Sequence, residues 1–413
     1  MKLNIKNFAK IKEAEIEILG ITVIAGENNT GKSTIGKIMY CLFECFYDIE
    51  NKLQDERKCT LQNFLLSRML LFYDSERDDE FWNEIISIPE EIYSDKKQLE
   101  NYSKNSRLFS DLHRTKDVED VVDFVYDFLN VDIEKVRANL INKYFDMEFG
   151  YQPIPLIHSS DNSEIVLDLK GEKISLQYDN GFVVKEYVNI YQELVYIENP
   201  DIIDDVELSR RYREKREFRN IKNHNHNLLT KLRNGKIEKN IFEETMIQQN
   251  FNLILQKINP LLNGEFVETQ KYLGFQEKGV TEPLHLANLS TGLKSFIIVK
   301  KLIEDGYIKN NGVIVLDEPE VHLHPKWQLI YAEILVILQK ELNLHIILTT
   351  HSPYFINAIE VYSAKYEIAN RCKYYLSNLI DDRAVFEDVT VNIDKIYTKL
   401  ATPLQELEEA AYE

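Results

Sequence analysis

An α/β fold with a mixed central sheet and flanking helices is predicted by three features of this 413-residue chain. A short apolar strand, Ile21 to Ala25, runs directly into a glycine-rich loop and then a helix. Two further apolar runs, Val313 to Leu316 and Leu344 to Thr350, stop at polar residues and read as parallel interior strands covered on both faces. Period-two alternation over 1–18 and again from Glu164 to Ile197 adds antiparallel sheet.

Composition removes several alternatives. Hydrophobic residues at 44% and charged residues at 28% leave an ordinary globular balance. No apolar run approaches the roughly 20 residues that span a bilayer. The N-terminus lacks the continuous apolar stretch of a signal peptide. A cytoplasmic protein with no membrane partner is expected. Cys41, Cys45, Cys59 and Cys372 are too scattered for a disulfide framework, and Cys41 and Cys45 share a helix face without a second ligand pair. A net charge of −19 argues against a whole surface given to nucleic acid.

Taken in chain order, the glycine-rich loop comes first. Gly26, Glu27, Asn28, Asn29, Thr30, Gly31, Lys32, Ser33 and Thr34 have the G-x-x-x-x-G-K-S spacing of a phosphate-binding loop, in its strand-loop-helix setting. Glycines allow successive N–H groups to point inward as an anion nest. Lys32 adds a point charge for β- and γ-phosphates, and Ser33 offers a hydroxyl to Mg²⁺. The following helix, with Ile35, Ile38, Met39, Leu42, Phe43 and Phe46 at helical spacing, packs on the sheet and turns its positive end to the anion. The expected ligands are ATP and Mg²⁺.

Residues 48–160 read as a helical insertion with its own small core, including Val121 to Leu129. Over 161–200 the turn residues Lys170-Gly171 and Asp179-Asn180-Gly181 divide the alternation into an antiparallel meander. A basic helical arm is expected over 201–262. Between Ser209 and Lys239 it carries eleven Lys and Arg against three Glu, starting with Arg210, Arg211 and Arg213. That density fits a phosphate-backbone contact for DNA, and equally a solvated arm or a surface docking an acidic neighbour. His224 and His226 read as polar loop residues. Asn259-Pro260 and Asn263-Gly264 break the arm.

Residues 263–390 carry the remaining motifs. Ser290 and Gly292 open a helix, making a second anion-binding terminus. Asp317 and Glu318 end the buried strand, where ligands of open α/β sheets collect. Asp317 is placed to hold Mg²⁺, and Glu318 to orient or deprotonate an attacking water. His351 ends the next strand at the same edge. His322 and His324 lie on one face of an extended segment, which could be a metal pair but reads better as loop structure. Asp381-Asp382-Arg383 reads as a turn. An amphipathic helix over 391–413, interrupted at Pro403, closes the chain.

Together these pieces resemble the ATP-binding-cassette head, in the branch of SMC proteins and OLD-family nucleases with their AAA-labelled relatives. GENNTGKST is similar to Walker A, VIVLDEPE to Walker B with its glutamate, LSTGLK to the signature and LTTHS to the histidine switch. Glu320-Val321-His322-Leu323-His324-Pro325 resembles the post-Walker-B segment of OLD-like ATPases. The resemblance makes 1–47 and the 161–200 meander lobe I, and 263–390 lobe II. It implies two heads sandwiching two ATPs, Ser290 and Gly292 of one copy facing the nucleotide of the other, in a dimer or higher even-numbered oligomer. Where a glutamine loop is expected, Tyr196-Ile197-Glu198 carries Glu, and that residue stays unassigned. No room remains for a Toprim nuclease domain. The resemblance therefore implies an ATPase that controls a separate nuclease or toxin effector in bacterial antiphage defence. The alternatives are an ATP-gated DNA clamp in repair or recombination and a transporter's nucleotide-binding subunit.

Overall fold

The computed structural model describes residues 1–68, 83–106, 118–151, 162–178, 181–206, 221–235, 256, 264–268 and 273–412. The chain forms two compact units, one of Met1–Tyr47 with Ile141–Glu413 and one of Asp48–Leu140.

The first unit begins with a hairpin, β1 (Lys2–Phe8) and β2 (Ile11–Glu17). Leu3, Ile5 and Phe8 are buried while Lys2 and Lys6 face solvent, as strand alternation requires. Strand β3 (Ile21–Gly26) is buried throughout and leads through the loop into α1 (Lys32–Phe46). In the second unit, α2 (Ile49–Arg68), α3 (Lys96–Asn105) and α4 (Val118–Leu129) are joined by the first half of α5 (Ile133–Glu148). Leu61, Ile85, Ile88, Leu99, Val121, Val122 and Val125 form its separate core. Asp95 caps α3 by accepting from the Lys97 N–H at 2.9 Å.

Returning to the first unit, β4 (Ser163–Leu169), β5 (Glu172–Tyr178) and β6 (Phe182–Glu186) form an antiparallel meander that pairs with β1. Strand β7 (Leu194–Ile197), which the alternation placed with that meander, lies instead at the opposite margin of the sheet. All four of its residues are buried. A segment covered on both faces belongs in a parallel block rather than a half-solvated meander. A 3₁₀ turn (Pro200–Val206) follows, and then α6 (His224–Asn234). The basic residues Arg210, Arg211, Arg213, Lys215, Arg216 and Arg219, with Lys236 and Lys239, lie outside the described residues, as do 257–263.

Strands β8 (Gly264–Glu268), β9 (Leu273–Glu277) and β10 (Leu284–His285) form a small antiparallel sheet ahead of α7 (Thr291–Glu304). Next come β11 (Val313–Asp317), α8 (Pro325–Leu342), β12 (His345–Thr350) and α9 (Pro353–Lys365). The hairpin β13 (Cys372–Ile380) and β14 (Arg383–Asp388) turns at Asp381 and Asp382, with φ of 52° and 61°. Two residues of positive φ match the twist of paired strands, and Asp tolerates that region. Helix α10 (Asp394–Tyr412) runs through Pro403 without the expected interruption. Ile396 is buried in the main core, with Ile393, Tyr397 and Leu400 against it, so the helix is docked before the proline removes one hydrogen bond.

The large sheet has eleven strands in the order β6-β5-β4-β1-β2-β14-β13-β3-β12-β11-β7. Strands β13, β3, β12, β11 and β7 form a parallel block. Its registers bring Gly26 opposite Ser377, Ala25 opposite Thr350, Asp317 opposite Thr349 and Leu316 opposite Ile197. Every carboxyl end in the block therefore opens on one side. Helix α1 lies across these strands so closely that a Cβ at Gly36 would stand 2.8 Å from Val315 Cγ1 and 3.1 Å from the Tyr196 ring. On the same core, Phe296 meets Tyr331 edge-on at 5.1 Å and Trp327 at 5.8 Å. Full burial of a side chain such as Phe296 contributes about 1.5–3 kcal/mol by area alone. Among the described residues no helix is long and apolar enough to cross a membrane.

Candidate functional site

The glycine-rich loop is fixed by its neighbours. Gly26 has φ 152°, and a Cβ there would lie 2.6 Å from the Ser377 carbonyl oxygen on β13. Only glycine fits that approach. Thr30 Oγ1 donates to the Glu27 carbonyl at 2.8 Å, and Ser377 Oγ donates to the Thr30 carbonyl at 2.7 Å. Glu27, Asn28 and Asn29 are exposed, with Asn29 at φ 62°. Gly31, at φ 78°, precedes α1 and supplies no side-chain cap, and the helix has no acidic residue in its first turn. Its first N–H groups are thus open to an anion, with the helix dipole behind them.

Lys32 is 4% exposed. Its Nζ donates to the Gly26 and Glu27 carbonyls at 2.9 and 2.7 Å and stands 3.6 Å from Glu318 Oε1. Burial pushes the ammonium's pKa down, against the pull of Glu318 and Asp317. Behind it, Asp317 Oδ1 accepts from Thr349 Oγ1, and Oδ2 accepts from the Tyr196 hydroxyl at 3.3 Å. The Ser33 side chain also hydrogen-bonds Asp317. Burial raises the Asp317 pKa despite these donors. A hydroxyl beside a carboxylate is a hard, all-oxygen donor pair, and Ser33 and Asp317 would suit Mg²⁺.

Glu318 is set apart from Asp317 by its backbone. Its φ of 47° is left-handed, and its N–H is held by the carbonyl and the hydroxyl of Thr349, both at 3.1 Å. The side chain turns to Lys32 on one side and to His351 Nδ1, 3.5 Å away, on the other. His351 is held from below by Glu320, whose Oε1 accepts from the His351 N–H at 3.1 Å and from Thr350 Oγ1. Glu320 is 2% exposed, and burial raises its pKa.

The structure thus gathers Lys32, Ser33, Asp317, Glu318 and His351 from three strand ends. Ser290 and Gly292 are placed elsewhere. Ser290 caps α7, accepting from the Leu293 N–H at 3.4 Å, and a Cβ at Gly292 would meet the His322 carbonyl at 2.8 Å. His324 caps α8 through Nδ1, which accepts from the Lys326 N–H at 3.3 Å. Among the described residues no group of three or more His, Cys, Asp or Glu could hold a metal ion.

His224 and His226, expected in a loop, lie in the first turn of α6, and His224 is 4% exposed. The His224 Nδ1 faces Glu148 Oε1 at 2.5 Å and its Nε2 faces Glu198 Oε2 at 2.7 Å. The polar run Asn-His-Asn-His-Asn suggested solvent, but Asn223 is a helix cap, accepting from the His226 N–H at 2.9 Å. Tyr196, Thr349 and Ser377 also escaped sequence reasoning. For Thr349 a signal existed, since paired threonines close an otherwise aliphatic strand. Lys399 on α10 reaches the loop at Glu27, 2.9 Å away, and nothing in the sequence marks that contact.

Comparison with known proteins completes the description. A family profile described as AAA ATPase domain matches residues 1–356. Over 91 residues, 19% of this chain, the sequence is 36% identical to the Septu protein PtuA of Bacillus thuringiensis. That stretch spans only 22% of PtuA. The SMC head domain from Thermotoga maritima aligns at 13% identity and a TM-score of 0.39, over 94% of this chain and 98% of that one. An Smc head domain with an extended coiled coil, bound to the C-terminal domain of ScpA derived from Pyrococcus furiosus, aligns at 13% identity and a TM-score of 0.42, over 98% of each chain. On the extent of the profile match, the chain belongs to the AAA ATPase domain family.

Proposed function

We propose that this protein hydrolyses ATP as a pair of heads closed around nucleotide, and that closure controls a separate effector protein. The observation carrying the reading is the convergence of Lys32, Glu318 and His351 within 3.6 Å of one another in sequence of contact, in front of the Ser33–Asp317 pair. In this reading the N–H groups of Glu27 to Thr34 and the Lys32 ammonium bind the phosphates. Ser33 and Asp317 would hold Mg²⁺, which would neutralise charge developing on the phosphoryl oxygens. Glu318 takes the proton of the attacking water, its carboxylate held clear of Asp317 by the left-handed backbone. His351, fixed through Glu320, completes the wall. Ser290 and Gly292 of a second copy close the site.

A nuclease or toxin is the effector we infer, acting in the cytoplasm in bacterial antiphage defence. The OLD-like segment Glu320 to Pro325 and the partial likeness to PtuA support that role. Contact with DNA through 209–239 is a lesser part of the reading. Within its described portion Lys231 pairs with Glu193 at 2.9 Å, Lys222 donates to Thr230 and Arg233 to the Asp205 carbonyl, all partners within this chain. Light scattering on Glu318→Gln with ATP and Mg²⁺ tests the pairing. The mass should double, and Ser290→Arg in the same background should prevent it. An unchanged mass under saturating nucleotide refutes closure.

A further inference from the structure

Between the loop helix and the end of the described basic segment lies a cluster that the proposed function does not use. Glu148 closes α5, Glu198 follows β7, and His224 opens α6. The Glu148 side chain is fully buried. It accepts from both the ring and the backbone N–H of His224, the latter at 3.0 Å. The other ring nitrogen meets Glu198, which also accepts from Asn225 Nδ2 at 3.5 Å. With carboxylates on both nitrogens, the ring is held as a two-fold donor. A cation at a helix N-terminus opposes the dipole, so this placement does not serve α6 itself.

What the ring does serve is visible on its faces. Tyr196 stacks on it at 4.2 Å and 23°, and that same phenol donates to Asp317 Oδ2. Glu198 follows Ile197, the register partner of Leu316, and so stands level with Asp317, whose pKa its charge helps to raise. Tyr40 of α1 packs edge-on against the ring at 6.0 Å while its hydroxyl donates to the Lys222 carbonyl at 2.7 Å. Both groups flanking Asp317 from β7 are therefore held by one imidazole.

We propose that His224 is a positioning residue of the nucleotide site: by bridging Glu148 to Glu198 and stacking on Tyr196, it fixes the groups beside Asp317 and so sets the affinity for magnesium in the nucleotide complex. The inference rests on the Mg²⁺–ATP reading of the site. Partners behind a metal ligand orient it, and losing one typically costs about 10–100-fold in metal affinity.

The experiment titrates Mg²⁺ into the full chain with a fluorescent ATP analogue and repeats the binding in EDTA. His224→Asn should raise half-saturating Mg²⁺ about ten-fold or more, with EDTA binding within about two-fold of the wild type. Tyr196→Phe keeps the stack and loses only the hydroxyl, and should shift the same midpoint by less. A folded His224→Asn with wild-type Mg²⁺ dependence overturns the proposal, and so does equal loss with and without Mg²⁺. If His224→Asn does not fold, Glu198→Gln decides: a raised midpoint supports the proposal and an unchanged one overturns it. A wild-type chain that binds no nucleotide in either condition refutes the ATP reading itself, and this inference with it.

Discussion

Replacing Glu318 by glutamine separates binding from chemistry with the smallest change of shape. Glu318 Oε1 lies 3.6 Å from Lys32 Nζ. At that distance Coulomb attraction is about 1 kcal/mol with the dielectric of water and about 5 kcal/mol at an effective value near 20. The Glu318 side chain is 30% exposed and Lys32 only 4%, so the interaction falls between these limits. Phosphate must compete with this carboxylate for the lysine and sit beside its negative charge. Glutamine removes both penalties, and even the lower limit predicts about five-fold tighter ATP binding. The rate moves the other way. Loss of a positioned general base costs about 10²–10⁴-fold. Single-turnover phosphate release measures that loss, and equilibrium fluorescence with an ATP analogue measures affinity. Hydrolysis within a few-fold of the wild type would refute the base assignment. Weaker ATP binding would refute the competition for Lys32.

Other expectations follow from the same geometry. Lys32→Ala should abolish nucleotide binding measured by calorimetry, because the loop loses its one buried cation while Asp317 and Glu318 remain. Gly26→Ala places a methyl 2.6 Å from the Ser377 carbonyl at a φ hostile to L-residues, and should cost about 1–3 kcal/mol in urea unfolding along with nucleotide binding. The His224 pKa gives a pH signature. Burial lowers it, but the hydrogen bonds to Glu148 and Glu198 outweigh burial and the net shift is upward. A raised histidine stabilises fully below its unfolded value of about 6.5, and that contribution is lost as pH rises through the folded value. The melting temperature should therefore fall as pH climbs above 6.5, and the fall should shrink in His224→Asn.

What the sequence disclosed divides along the distance between cooperating residues. The loop from Gly26 to Thr34 is contiguous, so its place between a buried strand and a helix could be read directly. The Asp317-Glu318 pair was legible because a buried strand rarely tolerates charge unless the charge has a task. Strand β7 was harder, since four apolar residues after a meander carry no mark of which neighbour they will join. His224 was hidden for a different reason. Its burial comes from Glu148 and Glu198, one on each side of it in space but both far upstream in the chain. Local polarity suggested solvent, and tertiary contacts overrode it. Pro403 shows the converse, a strong local signal set aside because α10 is already docked by Ile396.

The order of strands has a consequence for how the protein comes into being. Strand β3, which carries the glycine-rich loop, is zipped between β12 at His345–Thr350 and β13 at Cys372–Ile380. The ribosome releases β3 long before either of its hydrogen-bonding partners, which lie far downstream in the chain. Ligand capture cannot assist early folding, and the slow closure of such distant pairings leaves an apolar ribbon uncovered meanwhile. Polypeptides released before Cys372 would keep every residue of the loop and still display an unzipped β3, a ready template for aggregation.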